Sequence, residues 1–241
     1  VGFTDLKMEL AESPELYIDH FKSVAQLNSL KLVAQNVTMP KVLVIGDSMA
    51  SDVKKALSTK GLFVEKLNLD GLCFKHIIER GYDCGVSFDE IKTNAKNFEY
   101  VFIATDYIKE KSVLVSLDFA FKLGEIADVY FVNGFRFEHA SDLSYRFSTG
   151  REAYSQKVVF DSLRRETHVF NREISANHTI KLLDKYSYFC ADKTQECLLY
   201  SSSGLPLRYD ELHLTVFGLE YYGDKLVESL CRKAQQFCAY Q

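Results

Sequence analysis

The chain has 241 residues, 47% of them hydrophobic, and a formal net charge of -4. That is enough apolar material for one enzyme-sized core, and without a broad basic footprint nucleic acid is a poor candidate partner. No run approaches the roughly 18 apolar residues that mark a membrane span, and no Gly-x-Gly-x-x-Gly or Gly-Lys-Ser/Thr loop argues for a nucleotide site.

Residues 1–39 carry a helical rhythm between Pro14 and Leu27 but no chemically suggestive cluster. They read as an N-terminal extension that packs on a main domain spanning residues 40–241. That domain opens on Val42-Leu-Val-Ile45, a short apolar run of the kind that forms a strand buried on both faces of a parallel sheet. Gly46 ends the run, and Asp47-Ser48 leads at once into a helix-permissive stretch. Ser48 is therefore expected where a strand's carboxyl end meets a helix start, the region in which open α/β sheets bind ligands. Backbone N–H groups at a helix N-terminus point outward there and suit a developing oxyanion. The same tripeptide also fits a serine that merely caps a helix.

Further strand-like runs follow at Leu62–Leu67, Tyr100–Ala104 and Asp128–Val132, after the first at Lys41–Ile45. Helices are expected over Ala50–Thr59, Lys111–Leu123, Val159–His168, Glu173–Tyr186 and Leu219–Gln236. This alternation predicts repeated βα units, an α/β/α sandwich in three layers around a mainly parallel, flavodoxin-like sheet.

Near the end of the chain stands Tyr209-Asp-Glu-Leu-His-Leu-Thr215. Residues three apart share a face of a helical turn, so the Asp210 carboxylate can approach the His213 imidazole. A serine hydroxyl needs a base within hydrogen-bond reach and a third group that orients the base. Ser48, His213 and Asp210 fill those three roles. The bland reading of the second segment is a surface capping aspartate with a partly buried histidine.

Six cysteines fall as three close couples, Cys73 with Cys84, Cys190 with Cys197 and Cys231 with Cys238. An even count at short spacing favours disulfides and an oxidising compartment, although six cysteines allow fifteen connectivities. Free thiols in a cytosolic protein are the alternative. No Cys-x-x-Cys pair or histidine cluster argues for a metal site. Cys231 and Cys238 lie on one expected helix, too far apart along its axis to bond unless that helix ends between them.

Gly46-Asp47-Ser48 resembles the first block of the SGNH (GDSL-type) hydrolases, and Asp210-x-x-His213 resembles their last. The wording around the second block, Cys190, Cys197, Gly204-Leu-Pro-Leu207, Tyr209-Asp210 and His213-Leu-Thr215, is similar to the SGNH domain fused to acyltransferase-three membrane proteins that O-acetylate surface polysaccharides. The resemblance implies the SGNH fold and an acyl-enzyme on Ser48. The acetyl group would pass to a sugar hydroxyl of a surface glycan such as lipopolysaccharide O-antigen, or to water if the domain is an esterase. An inactive SGNH fold that binds a glycan or a partner enzyme is the remaining alternative. The resemblance further implies a Cys190–Cys197 bridge beside the last block, and an N-terminal membrane acyltransferase unit joined through residues 1–39. No bound cofactor is implied, the acetyl group coming indirectly from acetyl-CoA through that unit. The location implied is periplasmic or extracellular, tethered to the inner membrane.

Family members place an oxyanion-donating glycine after the second strand and an asparagine after the third. Gly71 matches the glycine. After the third run the chain reads Thr105-Asp106-Tyr107, with no Gly-x-Asn-Asp. The candidate donors are thus the backbone at Ser48 and Gly71, then Thr105 or Asn133, the latter equally explained by an Asn133-Gly134 turn. Asp47, Asp106 and Tyr107 are candidates for contacts with substrate.

Overall fold

The structure, a computed structural model, describes residues 40–79, 84–105, 110–133, 155–157, 172–174, 176, 179–191, 196–202, 207–208 and 213–240. The extension 1–39 and the expected helix Val159–His168 lie outside the described residues. Five parallel strands form the central sheet: β1 (Lys41–Gly46), β2 (Phe63–Asn68), β3 (Tyr100–Ala104), β4 (Val129–Val132) and β6 (Ile180–Leu183). Their order is β2-β1-β3-β4-β6. A small antiparallel sheet of β5 (Ser155–Lys157), β8 (Glu196–Leu198) and β7 (Cys190–Ala191) stands apart from it.

The connecting helices are α1 (Ser48–Thr59), α2 (Gly71–Glu79), α3 (Phe88–Ala95), α4 (Glu110–Gly124), the short α5 (Lys185–Phe189) and α6 (Val216–Cys231), after which a 3₁₀ turn runs over Gln235–Tyr240. Alternate strand residues feed two cores, because side chains of period two point to opposite faces. Val42, Val44, Phe102 and Tyr130 face the core under α1 and α6. Leu43, Ile45, Val101, Ile103 and Phe131 face the core under α2, α3 and α4. The three layers are those the strand runs predict.

This topology creates a specific crevice. From β1 the chain leaves to α1 on one face, and from the neighbouring β3 it leaves to α4 on the other. Where two adjacent parallel strands send their connections to opposite sides, a cleft opens beyond their carboxyl ends. Ser48 follows β1 and Thr105 follows β3, so both stand at that switch point.

Three expectations need correction. The Glu173–Tyr186 segment is not one helix: Ile180–Leu183 is the fifth strand, parallel to β4, and only Lys185–Phe189 is helical beyond it. An edge strand half-buried on one side shows no long apolar run, and the lysine at 181 interrupts the pattern. Helices α2 and α3 occupy a connection to which no helix was assigned; Asp70 accepts from Cys73 N–H at the start of α2, and a capping box between Ser87 and Glu90 starts α3. The last helix begins earlier and ends at Cys231, not Gln236. The chain then folds back through the 3₁₀ turn, which brings Cys238 to 4.6 Å from Cys231, Cα to Cα.

All three cysteine couples are bonded, Cys73–Cys84, Cys190–Cys197 and Cys231–Cys238. Cys190 and Cys197 are direct cross-strand partners between β7 and β8. Three bridges in a chain of this size fit an oxidising compartment.

Candidate active site

Gly46 is the first determinant of the site. Its φ is +148°, and a Cβ there would lie 1.8 Å from the Ala104 carbonyl oxygen of β3. Only glycine lets the backbones of β1 and β3 approach so closely while the chain turns out of the sheet. The turn is sealed from the other side by Leu69 N–H, which donates to the Gly46 carbonyl over 3.0 Å. Asp47 then caps α1, its Oδ1 accepting from Met49 N–H at 2.9 Å. Ser48 is therefore the first helical residue and not the cap, and its side chain is exposed at the cleft.

His213 comes from the far end of the sequence. Leu207 N–H donates to the Leu199 carbonyl at 2.8 Å, and Thr215 N–H donates back to the Leu207 carbonyl at 3.0 Å. Arg208 bridges Leu214 in antiparallel fashion between them. The segment that carries the half-buried His213 is thus pinned on both sides. Thr215 caps α6 by accepting from Gly218 N–H at 3.1 Å. Gly218 must lack a side chain, since a Cβ would meet the Leu207 carbonyl oxygen at 1.8 Å.

The packing of α1 on α6 sets the relative height of the two segments. Gly223 lies against the Ala56 carbonyl, Thr59 and Lys60 at the end of α1, and Lys60 is paired with Asp224. Both helices start at the carboxyl edge of the sheet, because the 3₁₀ turn after α6 reaches Glu99 and Tyr100 at the opposite edge through Gln236. Gly223 stands seven residues after the start of α6 and Ala56 eight after the start of α1, so the two helices start within about one residue of the same height. His213 lies three residues before α6, in the segment that leads into that helix.

Beside Met49 lies a narrow space, also lined by Val53, Ala104, Thr105, Asn133, Lys185 and Tyr222, too tight to admit a water. Thr105 is buried, and its Oγ1 has no hydrogen-bond partner among the described residues. Asn133 is differently occupied. Its Nδ2 donates to Asp184 Oδ1 and its Oδ1 accepts from Lys185 N–H, both at 2.6 Å. That amide ties the ends of β4 and β6 together. Gly71 opens α2 just beyond the Leu69 contact to Gly46, on the same edge of the sheet as Ser48. Asp210, Asp106 and Tyr107 lie outside the described residues.

Sequence reasoning overlooked a set of buried charges beneath the site. Asp52, Lys185 and Arg208 are 3%, 1% and 1% exposed. Lys185 Nζ sits 5.2 Å from the Tyr222 ring centre, and the Arg208 guanidinium 5.0 Å from that of Phe189. Burial pushes the Asp52 carboxyl above its ordinary range, against the opposing pull of Lys185, His213, Lys55 and Arg208. The available signal was an aspartate within the apolar stripe of α1, alongside Met49, Val53 and Ala56. On β2, Lys66 Nζ donates to Ser51 Oγ, and burial lowers its affinity for a proton despite the nearby Asp47.

No family model and no curated protein matches the sequence. Among solved structures, the chain is similar to the periplasmic domain of a lipopolysaccharide acetyltransferase from Salmonella ser. Paratyphi A, at 14% identity and a TM-score of 0.64, covering 91% of this chain and 98% of that one. The chain therefore has that domain's α/β fold, the SGNH-like architecture its sequence blocks imply. Looser likenesses are to the C-terminal catalytic domain of peptidoglycan O-acetyltransferase A from Streptococcus pneumoniae, at 14% identity and a TM-score of 0.41 over 82% of this chain and 95% of that one, and to a member of the lipolytic protein G-D-S-L family from Veillonella parvula, at 15% and 0.41 over 80% and 98%.

Proposed function

We propose that the chain is a serine-dependent acyltransferase that moves an acetyl group onto a sugar hydroxyl of a cell-surface polysaccharide. The observation that carries this reading is the exposed Ser48 at the start of α1, in a glycine-locked turn at the switch point. In this reading His213 takes the proton from Ser48 Oγ as the hydroxyl attacks the acyl carbonyl. Asp210 orients the imidazole and stabilises its charged form. The tetrahedral oxyanion is held by the backbone N–H groups at Ser48 and Gly71, at the starts of α1 and α2. Thr105 is the third donor, since its buried hydroxyl lacks a hydrogen-bond partner among the described residues, whereas both ends of the Asn133 amide are engaged.

Collapse of the intermediate expels the donor's leaving group, protonated by His213, and leaves acetyl on Ser48. A sugar hydroxyl, deprotonated by the same imidazole, then takes the acetyl and releases the serine. The likeness to a periplasmic lipopolysaccharide acetyltransferase domain supports a glycan acceptor, and the three disulfides support a site outside the cytoplasm. The chain binds no cofactor in this scheme. Its acetyl originates from acetyl-CoA through a membrane acyltransferase unit preceding the domain. Asp47, Asp106 and Tyr107 contact the incoming glycan.

The test is hydrolysis of an activated acetyl ester by wild type, Ser48→Ala and His213→Ala. Each variant is expected to lose about 10³-fold or more in kcat; equal rates in all three overturn the triad. Mass spectrometry of a polysaccharide incubated with enzyme and acetyl donor then separates the acceptors. Acetylated sugar supports the transferase, and free acetate alone makes the chain an esterase.

A further inference from the structure

We infer that Lys66, together with Lys54 and Lys55, forms a subsite beside Ser48 for an anionic group, a carboxylate or a phosphate, carried by the acyl-accepting glycan. The inference deepens the reading of the chain as a glycan acyltransferase and rests on it for the class of the ligand. Lys66 stands opposite Val44 of β1 and two residues after Val64, so its side chain leaves β2 on the face of the sheet that α1 covers. Its Nζ donates to Ser51 Oγ at 2.5 Å. Ser51 follows Ser48 by three residues, one turn of α1, so the two hydroxyls share a side of that helix. Lys54 and Lys55 come three and four residues after Ser51 and flank it on the next turn. Ser48 is exposed, and Ser51, Lys54, Lys55 and Lys66 are half-buried, whereas Met49, Val53 and Ala56 turn into the core. The side of α1 that carries Ser48 thus continues into three lysines.

The chain as a whole is acidic, with a formal net charge of -4, yet these three cations have no carboxylate within ion-pair distance among the described residues. The acids closest to them are otherwise placed. Asp47 Oδ1 caps α1, Asp52 is buried, and Glu65, next to Lys66 on β2, points to the opposite face of the sheet. Like charges gathered without a counter-charge repel one another, and a half-buried ammonium also gives up hydration. Burial accordingly lowers the affinity of Lys66 for a proton, and Lys54 and Lys55 add to that against the pull of Asp47 and Asp52. An anion arriving here removes the repulsion and takes a charge-assisted hydrogen bond from an ammonium that Ser51 already holds in place. Because Ser51 Oγ accepts from Lys66, its own O–H is left to donate to the same anion. A neutral sugar gains none of the electrostatic part.

Calorimetry tests this with three oligosaccharides of equal length: a neutral oligomannoside, its phosphorylated form and an oligogalacturonate. At low salt the phosphate form, the carboxylate form or both are expected to bind about tenfold more tightly than the neutral one. The stronger of the two identifies the anion. Lys66→Met removes the charge from a side chain of similar length and is expected to abolish the preference, whereas Lys66→Arg keeps most of it. Rising salt weakens the preference in the wild type. Equal affinity for the neutral and both anionic sugars overturns the inference, and so does a preference that survives Lys66→Met. Should Lys66→Met fail to fold, the paired change Lys54→Gln with Lys55→Gln, on the outer side of α1, decides in its place, and an undiminished preference overturns the subsite. Labelling of Ser48 by a fluorophosphonate probe is run in parallel. Labelling with no preference for an anionic sugar refutes the subsite alone. Absence of labelling in the wild type refutes the serine mechanism, and the ratio of affinities still decides the subsite.

Discussion

The two halves of the site are held by different physics. The Ser48 half is local in sequence: a strand, a glycine at φ +148°, an aspartate cap and a helix, all between Lys41 and Thr59. The His213 half is assembled from distant pieces, with Leu207 bonded to Leu199 and Thr215, Gly218 pressed on Leu207, and a disulfide between β7 and β8. A local turn forms with little loop-closure cost, whereas a segment pinned by non-local contacts depends on the whole fold. Damage to the proposed nucleophile should therefore come from single backbone lesions. Damage to the proposed base should come from any weakening of the tertiary structure around it.

The largest effect that tests this contrast is Gly46→Ala. The added Cβ collides with the Ala104 backbone, which cannot yield as a flexible side chain would. A cost of about 3 kcal/mol in stability, read from denaturant unfolding, is expected with loss of fluorophosphonate labelling. Retention of both would mean that the β1–α1 turn is not the rigid half. Thr105→Val comes next. It keeps the shape of the side chain and removes an orphan hydroxyl, so the melting temperature should hold or rise while kcat falls about 10²-fold, worth about 3 kcal/mol. An unchanged kcat would remove Thr105 from the oxyanion hole.

The paired change Cys190→Ser with Cys197→Ser weakens the distant half. About 2 kcal/mol of stability should be lost, with a larger drop in kcat than a stability loss of equal size on α3 would bring. Equal kinetic sensitivity at both places would erase the distinction between the two halves. The smallest effect is Asp47→Ala, which strips the cap from α1 at about 1 kcal/mol and leaves Gly46 to hold the turn. If Asp47 also touches the glycan, KM for a polysaccharide acceptor rises while hydrolysis of a small ester changes little.

Much of the scaffold was legible because β1, β3 and β4 are short apolar runs, and the helix after Ser48 follows without a gap. That those strands run parallel follows from βα alternation, whereas their order and the switch point come from the structure. Ile180–Leu183 was not legible as a strand, since its lysine and its half-exposed residues give an edge strand the look of a helix. The turn that reunites Cys238 with Cys231 was also hidden, because nothing in that sequence marks the end of α6 except the need to bond. Of the candidate site, the placement of Ser48 where a strand ends and a helix starts, and of His213 just before the last helix, was legible. The work of Asn133 could not, because it depends on Asp184 and Lys185, some fifty residues away. Asp52, Lys185 and Arg208 were invisible for a related reason: a charged residue shows its burial only when distant segments close over it.

The far end of α6 has a mechanical meaning for the histidine. The helix is fastened at its start by Gly218 against Leu207, and at its finish by the Cys231–Cys238 bridge with Phe237 seated against Tyr100. Fixed at both ends, it behaves as a strut that cannot slide along α1. A slip of one residue would carry the start of α6 about 1.5 Å along its axis, and an error of about 1 Å in a reacting group can cost 10²-fold in rate. In the proposed mechanism, the stretch from Cys231 to Tyr240 thus acts as a distance gauge for chemistry at the opposite edge of the sheet.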